Sequence, residues 1–392
     1  VKVLDITEFY SPVGGGVRTY LEAKARWISA DRGMEHVIVV PGEGNGAVRW
    51  FGSKLYTVRG PRVPASPGYR FMTAGRKIGR ILREERPDVV EIGSPFLAAR
   101  HALRAARRMV PRPKLVGFYH CDARRVYVDF GLRRLPARFR ESVGKRFERY
   151  LARVYGEMDL VVAASPAARA ALERLGLRRV ETVPLGVDTE VFCPERRDPG
   201  WRVEVGAVGG QSVLLYCGRL AVERGLDVVI AALPELHRLT GAKFVAIGEG
   251  QLRRRLEQLA ASNPAMVAVL PFEADRARLA RAYASADCYV APFPMETFGL
   301  SAVEAMACGL PVVTVDRGAV ADLARGANWA RRYREGDPGD FIRAAGEILS
   351  AGGRTLGCEA AMAARRSFSW DGTFDTLGQI YGALVDGLYD AK

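Results

Sequence analysis

The sequence predicts an α/β protein built from two Rossmann-like domains, each a parallel sheet covered by helices. Three observations carry that prediction. Runs that are apolar throughout alternate with amphipathic helical stretches in both halves, as strands buried on two faces require. The alternation breaks once, over residues 186–211, where Gly186, Pro194, Pro199, Gly200, Gly206, Gly209 and Gly210 leave no sustained period. The chain has 392 residues, too many for one core, and its 48% hydrophobic content can fill two. The organisation expected is a first domain over 1–190, a linker over 191–211, a second domain over 212–369 and a terminal helix over 370–392.

In chain order, VKVLDIT reads as a strand, SPVGGG as a glycine loop and VRTYLEAKARWISA as an amphipathic helix. HVIVV is a second strand, ended by Pro41 and Gly42, and LYTV a third. Helices are expected near 72–86 and 97–109, with strand DVVEIG between them and strand KLVGFY after. A long basic helical region spans about 133–156. DLVVAAS, a helix near 166–175 and VETVPLG close the first half. The second half restarts with strands VLLYCG, KFVAIG, MVAVLPF, CYVAPF and PVVTV, separated by helices. A last helix follows FSWD, where Ser369 or Asp371 can cap it.

Composition excludes several classes. No apolar run reaches the length of a membrane span. No basic segment followed by an apolar run opens the chain, so no secretory leader is expected. Cys121, Cys193, Cys217, Cys288, Cys308 and Cys358 are scattered without C-x-x-C spacing, as suits free thiols in a reducing cytosol rather than a zinc site. The net charge of +14 is uneven. Residues 1–196 hold 36 Lys and Arg against 21 Asp and Glu, whereas residues 197–392 hold 22 against 23. That asymmetry points to an anionic partner met by the first half.

Six stretches carry chemistry. PFPMETFGLSAVEAMACGLPVV, residues 292–313, runs from a strand through a loop into a helix stopped by Gly309 and Pro311. The free N–H groups of a helix start suit a phosphate or sugar oxygen, Gly299 lets a ligand approach the backbone, and Glu296 and Glu304 face one ligand from different heights. Gly14-Gly15-Gly16 sits between a strand and a helix, where bare N–H groups cradle phosphate, though Thr19 breaks the dinucleotide spacing. A tight turn without a ligand explains that loop equally well. In CGRLAVERG, Arg219 and Arg224 follow a strand end and can neutralise a diphosphate; the alternative is two solvated surface arginines. His120 in GFYHCD is the one histidine of four at a strand's carboxyl end, where open α/β sheets place ligands. Finally, GYRFMTAGRKIGRILREER sets Arg76, Lys77, Arg80 and Arg83 on one side of a helix. From Arg124 to Arg153, ten basic residues meet only Asp129, Glu141 and Glu148. Such helices suit an anionic membrane surface or are plain solvated faces.

Together these stretches resemble the retaining glycosyltransferases of family four, whose fold is GT-B. The carriers are GGGVRTYLE, FYHCD and VPLGVDTEVFCP in the first half, then CGRLAVERGLD, AIGEG and PMETFGLSAVEAMACGLPVV. The resemblance implies two Rossmann-like domains facing across a cleft, with the terminal FSWD…Y element crossing back onto the first. It assigns Glu304 to the ribose hydroxyls of a nucleotide and Glu296 to the donor sugar. The amides of Phe298, Gly299 and Leu300 would meet sugar or phosphate oxygens. Arg219 and Arg224 would hold the diphosphate, Arg224 standing where lysine is usual. Gly15 and Gly16 would close on the diphosphate, and His120 would lie near the donor sugar at the acceptor face. VDRGAVADL departs from the family pattern, with Arg317 and Asp322 in place of a paired glycine and a glutamate, and Cys121 has no assigned role.

The activity implied is hexose transfer from a nucleotide diphosphate sugar with retention at the anomeric carbon, without a cofactor or a required metal. GDP-mannose is the favoured donor because GFYHCD and METFGL resemble the mannosyltransferase branch, and a lipid-linked or membrane-presented acceptor is favoured by the basic first half and its resemblance to phosphatidylinositol mannosyltransferases near GRKIGRILREE. A UDP-hexose donor with a soluble sugar or sugar phosphate acceptor is the alternative. A cytoplasmic enzyme peripheral to the membrane is expected. Nucleic-acid binding lacks any accompanying motif, and nothing in the sequence bears on oligomeric state.

Overall fold

The computed structural model describes residues 1–30, 32–64 and 66–389. The chain divides into two compact units, Val1–Leu185 with Trp370–Lys392, and Gly186–Ser369.

The first unit contains β1 (Lys2–Ile6), β2 (Glu35–Gly42), β3 (Gly46–Trp50), β4 (Ser53–Arg59), a two-stranded ribbon of β5 (Arg62–Val63) and β6 (Ser66–Arg70), then β7 (Val89–Ile92), β8 (Lys114–Tyr119), β9 (Leu160–Ala163) and β10 (Val180–Thr182). The main sheet runs β10-β9-β8-β7-β1-β2-β4-β3. It is parallel except for β3, which pairs antiparallel with β4. Leu4 faces Val37 and Val90 in register, and all three are buried. Their apolar character on both faces is what a doubly covered sheet needs. Chain order reverses direction between β1 and β7, so a crevice opens beyond their carboxyl ends.

The helix Trp370–Val385 belongs to this unit. It buries Phe374, Leu377 and Tyr381 almost completely, and Trp370 stacks on Phe374 at 5.4 Å. Each such side chain contributes up to about 1.5–3 kcal/mol by burial, which fastens the helix to the sheet's flank. Tyr389, beyond it, donates a hydrogen bond to Glu181 at 2.7 Å.

The second unit holds β11 (Val213–Cys217), β12 (Lys243–Ile247), β13 (Val267–Leu270), β14 (Cys288–Ala291), β15 (Val312–Val315) and β16 (Ala330–Tyr333), in the order β13-β12-β11-β14-β15-β16 and all parallel. Here the reversal lies between β11 and β14. The chain enters and leaves the unit at one place, where the amide of Val187 donates to the carbonyl of Phe368 at 2.9 Å.

Three departures from the sequence reading have physical causes. Residues 191–211 do not form a linker. Pro194 and Pro199 open a 3-10 turn (Pro194–Arg196) and a helix (Pro199–Glu204), because proline is tolerated in a first helical turn. That helix buries Trp201, and Arg281 and Arg202 tie the segment to the second unit through Asp198, Glu204 and Asp287. β16 escapes sequence detection because Arg331 and Arg332 occupy its middle, which an edge strand permits. β3 escapes because GAVRW is exposed and short of apolar contrast.

Candidate active site

In the second unit the functional stretches converge on the crevice between the carboxyl ends of β11 and β14. The chain leaves β14 through a loop and re-enters a helix, Leu300–Ala307. Gly299 is its N-cap, with φ at 97°, and a Cβ there would lie 2.4 Å from a methyl of Val320. Only glycine takes that backbone angle at low cost, so the sequence forces the helix start to be bare. No side chain caps it, leaving the N–H groups at Gly299–Leu300 to meet an external acceptor. Phe298 is buried, edge-on to Phe368 at 5.6 Å, which holds the loop.

Glu304 lies one turn further along, with its side chain 9% exposed. Burial pushes its carboxyl above the usual range, and Arg276, donating to it at 3.1 Å, works against that shift. Arg276 lies over the Phe192 ring at 4.7 Å, so its guanidinium is held in place. Glu296 is more open, at 28%. Burial also raises its carboxyl, opposed by Arg224 at 3.3 Å. Arg224 in turn lies over Phe293 at 4.1 Å. The carbonyl of Glu296 accepts from the amide of Ala319 at 3.3 Å, so the divergent loop after β15 supports the glutamate loop directly. Arg219 follows β11 and is 45% exposed, reaching Glu223 only at 3.9 Å. The structure thus brings Arg219, Arg224, Glu296, Phe298, Gly299, Leu300 and Glu304 onto one sheet edge.

Gly15, Gly16 and His120 belong to the first unit. Gly15 has φ at 108° and precedes the helix Gly16–Ser29, again with no side-chain cap. His120 follows β8. Its ring stacks on Phe118 at 4.3 Å and meets the Tyr20 ring edge-on at 5.1 Å. Burial pushes it down to about 3, so the imidazole is neutral at ordinary pH and offers one donor and one acceptor. The other histidines have structural surroundings. His36 is hydrogen-bonded to Asp5 and, at 2.8 Å, to Ser53; His237 bonds the carbonyl of Ala242 at 2.9 Å.

Comparison with known proteins decides the class. Residues 14–191 match Glycosyltransferase Family 4 and residues 211–351 match Glycosyl transferases group 1. A GDP-mannose-dependent alpha-(1-6)-phosphatidylinositol dimannoside mannosyltransferase of Mycobacterium tuberculosis is 33% identical over 342 residues, 82% of this chain and 84% of that protein. The chain belongs to glycosyltransferase family 4. It is a nucleotide-sugar-dependent hexosyltransferase. A GDP-mannose-dependent alpha-mannosyltransferase of the same species is 30% identical over 82% of this chain and 81% of its own length. The sucrose-phosphate synthase of Thermosynechococcus elongatus superposes with a TM-score of 0.79 at 18% identity, over 99% of this chain and 100% of that one, which identifies the fold as GT-B.

Arg276 and Phe293 are the residues that sequence reasoning missed. Arg276 sits in RARLARAYAS, among arginines indistinguishable by spacing, and only the fold sets it against Glu304. Phe293 could have been found, since it is an aromatic residue three positions before Glu296 in the glutamate loop. Arg124, counted among the basic surface residues, is instead locked between Asp129, Glu141 and Glu148. Among the described residues no group of three His, Cys, Asp or Glu is placed to hold a metal ion.

Proposed function

We propose that this transferase moves mannose from GDP-mannose, with retention, to a lipid-linked acceptor presented at an anionic membrane surface. The observation that carries the donor and acceptor is the 33% identity, across 84% of its length, to a protein named for both. In this reading Glu304 accepts the ribose hydroxyls and Arg219 and Arg224 meet the diphosphate, with the amides at Phe298, Gly299 and Leu300. Glu296 stands at the donor sugar. For residues of the first unit, the reading assigns the Gly15–Gly16 amides to phosphate oxygens and His120, with its neutral ring, to the acceptor. The bond from the anomeric carbon to the diphosphate breaks, and a bond to the acceptor oxygen forms on the same face. The acceptor proton passes to the departing phosphate oxygen. Arginines and the helix start, oriented before reaction, stabilise the charge that develops there. The core chemistry is taken to need no metal, so turnover should survive EDTA.

Membrane docking is supported by the surface of the first unit. The helix Gly75–Glu85 buries Ile78, Ile81 and Leu82 and turns Arg76, Arg80 and Arg83 outward, with no ion pair to any of the three among the described residues. Leu135 and Phe139 are 43% and 54% exposed, beside Arg134 and Arg138 in sequence. Apolar and basic side chains on one exposed stretch are what a headgroup region takes up. Among the described residues no helix is long and apolar enough to cross a membrane. The enzyme would then work peripherally at the cytoplasmic face.

Thermal shift with GDP and UDP, then turnover with the matched sugar nucleotide and mixed lipid acceptors, tests the donor. A larger shift with UDP, or turnover only on a soluble sugar phosphate, would overturn the reading. Sedimentation with phosphatidylcholine vesicles, with and without anionic lipid, tests docking. Replacing Arg76, Arg80 and Arg83 by Ser should abolish the preference for anionic vesicles, each basic residue being worth about 1 kcal/mol at such a surface.

A further inference from the structure

We infer that the C-terminal helix positions His120 through a buried relay, Tyr381 to Glu91 to Tyr20, and that Tyr20 and Tyr381 are positioning residues for the transfer. The inference rests on the proposed placement of His120 beside the acceptor. Tyr381, on the helix Trp370–Val385, donates its hydroxyl to Glu91 on β7. Glu91 also accepts from the Tyr20 hydroxyl at 2.9 Å. Lys24 closes the cluster, donating to Asp5 at 2.9 Å, Glu91 at 3.1 Å and Tyr381 at 3.0 Å. The side chains of Lys24, Asp5 and Glu91 are each at most 3% exposed.

The relay ends on the His120 ring, which is confined on three sides. Phe118 covers one face, Tyr20 holds an edge, and Gly93 leaves room where a Cβ would lie 3.1 Å from the ring. Trp370 and Phe374 of the same helix pack against Tyr20 at 6.4 and 5.6 Å. The helix therefore grips Tyr20 twice, by ring packing and by the hydroxyl bond through Glu91. A cluster this buried is costly unless it is fully hydrogen-bonded, so removing one hydroxyl should be felt at the ring it orients.

The test replaces Tyr381 by Phe and Tyr20 by Phe, which keeps the rings and removes the hydroxyls. The four histidines give four Cε1–H correlations in a carbon–proton spectrum, and His120→Gln identifies one. In both variants the His120 correlation should move, because the ring currents of Phe118 and Tyr20 depend on orientation, while kcat falls about tenfold and donor KM stays within about twofold. Ile348→Val, in the core of the other unit, is the stability control and should leave the correlation and kcat in place. An unmoved correlation in Tyr381→Phe, or a kcat loss no larger than in the control, overturns the inference. An unchanged kcat in His120→Gln overturns instead the placement of His120 at the reaction, and the spectrum then decides the relay alone.

Discussion

Replacing Glu304 by Gln tests its proposed ribose contact by separating the side chain's charge from its shape. Two hydroxyls accepted by a carboxylate make charge-assisted bonds worth about 1.5–3 kcal/mol each, against about 0.5–1.5 for a neutral amide, so the bound state loses roughly 2 kcal/mol. Part of that is returned. In the empty site Glu304 is paired with Arg276 at 3.1 Å, and Arg276 is 33% exposed, so the pair that a donor must share is worth up to about 1 kcal/mol. The net is about 1–2 kcal/mol, or roughly 5–30-fold in the dissociation constant. Calorimetric titration with the nucleoside diphosphate and with its 2′,3′-dideoxy analogue makes a complete cycle with the wild type and Glu304→Gln. The analogue should bind both proteins about equally, since the contact is already gone. Additive losses, with the analogue weakened as much by the substitution as the natural nucleotide, would refute the assignment of Glu304 to the ribose.

The remaining predictions concern charge and backbone. Burial raises the Glu304 carboxyl and Arg276 restrains it, so kcat/KM should decline as pH falls through that group, and in Arg276→Gln the decline should begin at higher pH; superimposable profiles would count against the pair. Glu91 is pushed up to about 8 by burial and the neighbouring Asp5, so its share of stability is complete below its ordinary 4.5 and drains away as pH rises through about 8. Urea midpoints should therefore fall over that window in the wild type relative to Glu91→Gln, and parallel curves would reject it. Gly299→Ala places a Cβ 2.4 Å from Val320 at φ of 97° and should cost about 1–3 kcal/mol, read as a lower melting temperature, with donor affinity lost as the helix start shifts.

Most of the fold was legible because parallel strands buried on both faces are largely apolar throughout, as in LVVA and CYVA, and such runs cannot be mistaken for solvated loops. What failed were segments stabilised by their partners. β16 keeps two arginines because it is an edge, and Pro199 reads as a breaker until Trp201 is seen buried beneath its helix. The site divides the same way. Gly299, Glu296 and Glu304 were readable because a strand, a bare helix start and two carboxylates follow one another in eighteen residues or so. Arg276 was not, since its meaning comes from Phe192 and Glu304, both distant in sequence. The buried cluster around Lys24 was invisible for a related reason. Lys24 lies on the helix Gly16–Ser29 as an ordinary polar residue would, and only the packing of Tyr381 shows that it faces inward.

The charges of the two halves then have different explanations. On the sheet edge of the second unit Arg219, Arg224 and Arg276 stand against Glu223, Glu296 and Glu304, three charges of each sign. The start of the helix Leu300–Ala307 adds about half a charge more. These guanidiniums are placed inside a half whose basic and acidic residues nearly balance. Under the proposed reading donor binding needs no global field, because the pairing is local and Arg224 and Arg276 are already oriented by Phe293 and Phe192. The excess of fifteen positive charges over residues 1–196 lies outside that sheet edge. Lys24 and Arg124 are matched by carboxylates in internal clusters and so add nothing to that excess. Arg76, Arg80 and Arg83 point outward without carboxylate partners among the described residues. Charges so placed act at the range of a Debye length, not of a hydrogen bond, and the proposed surface of like anionic headgroups would reward them together.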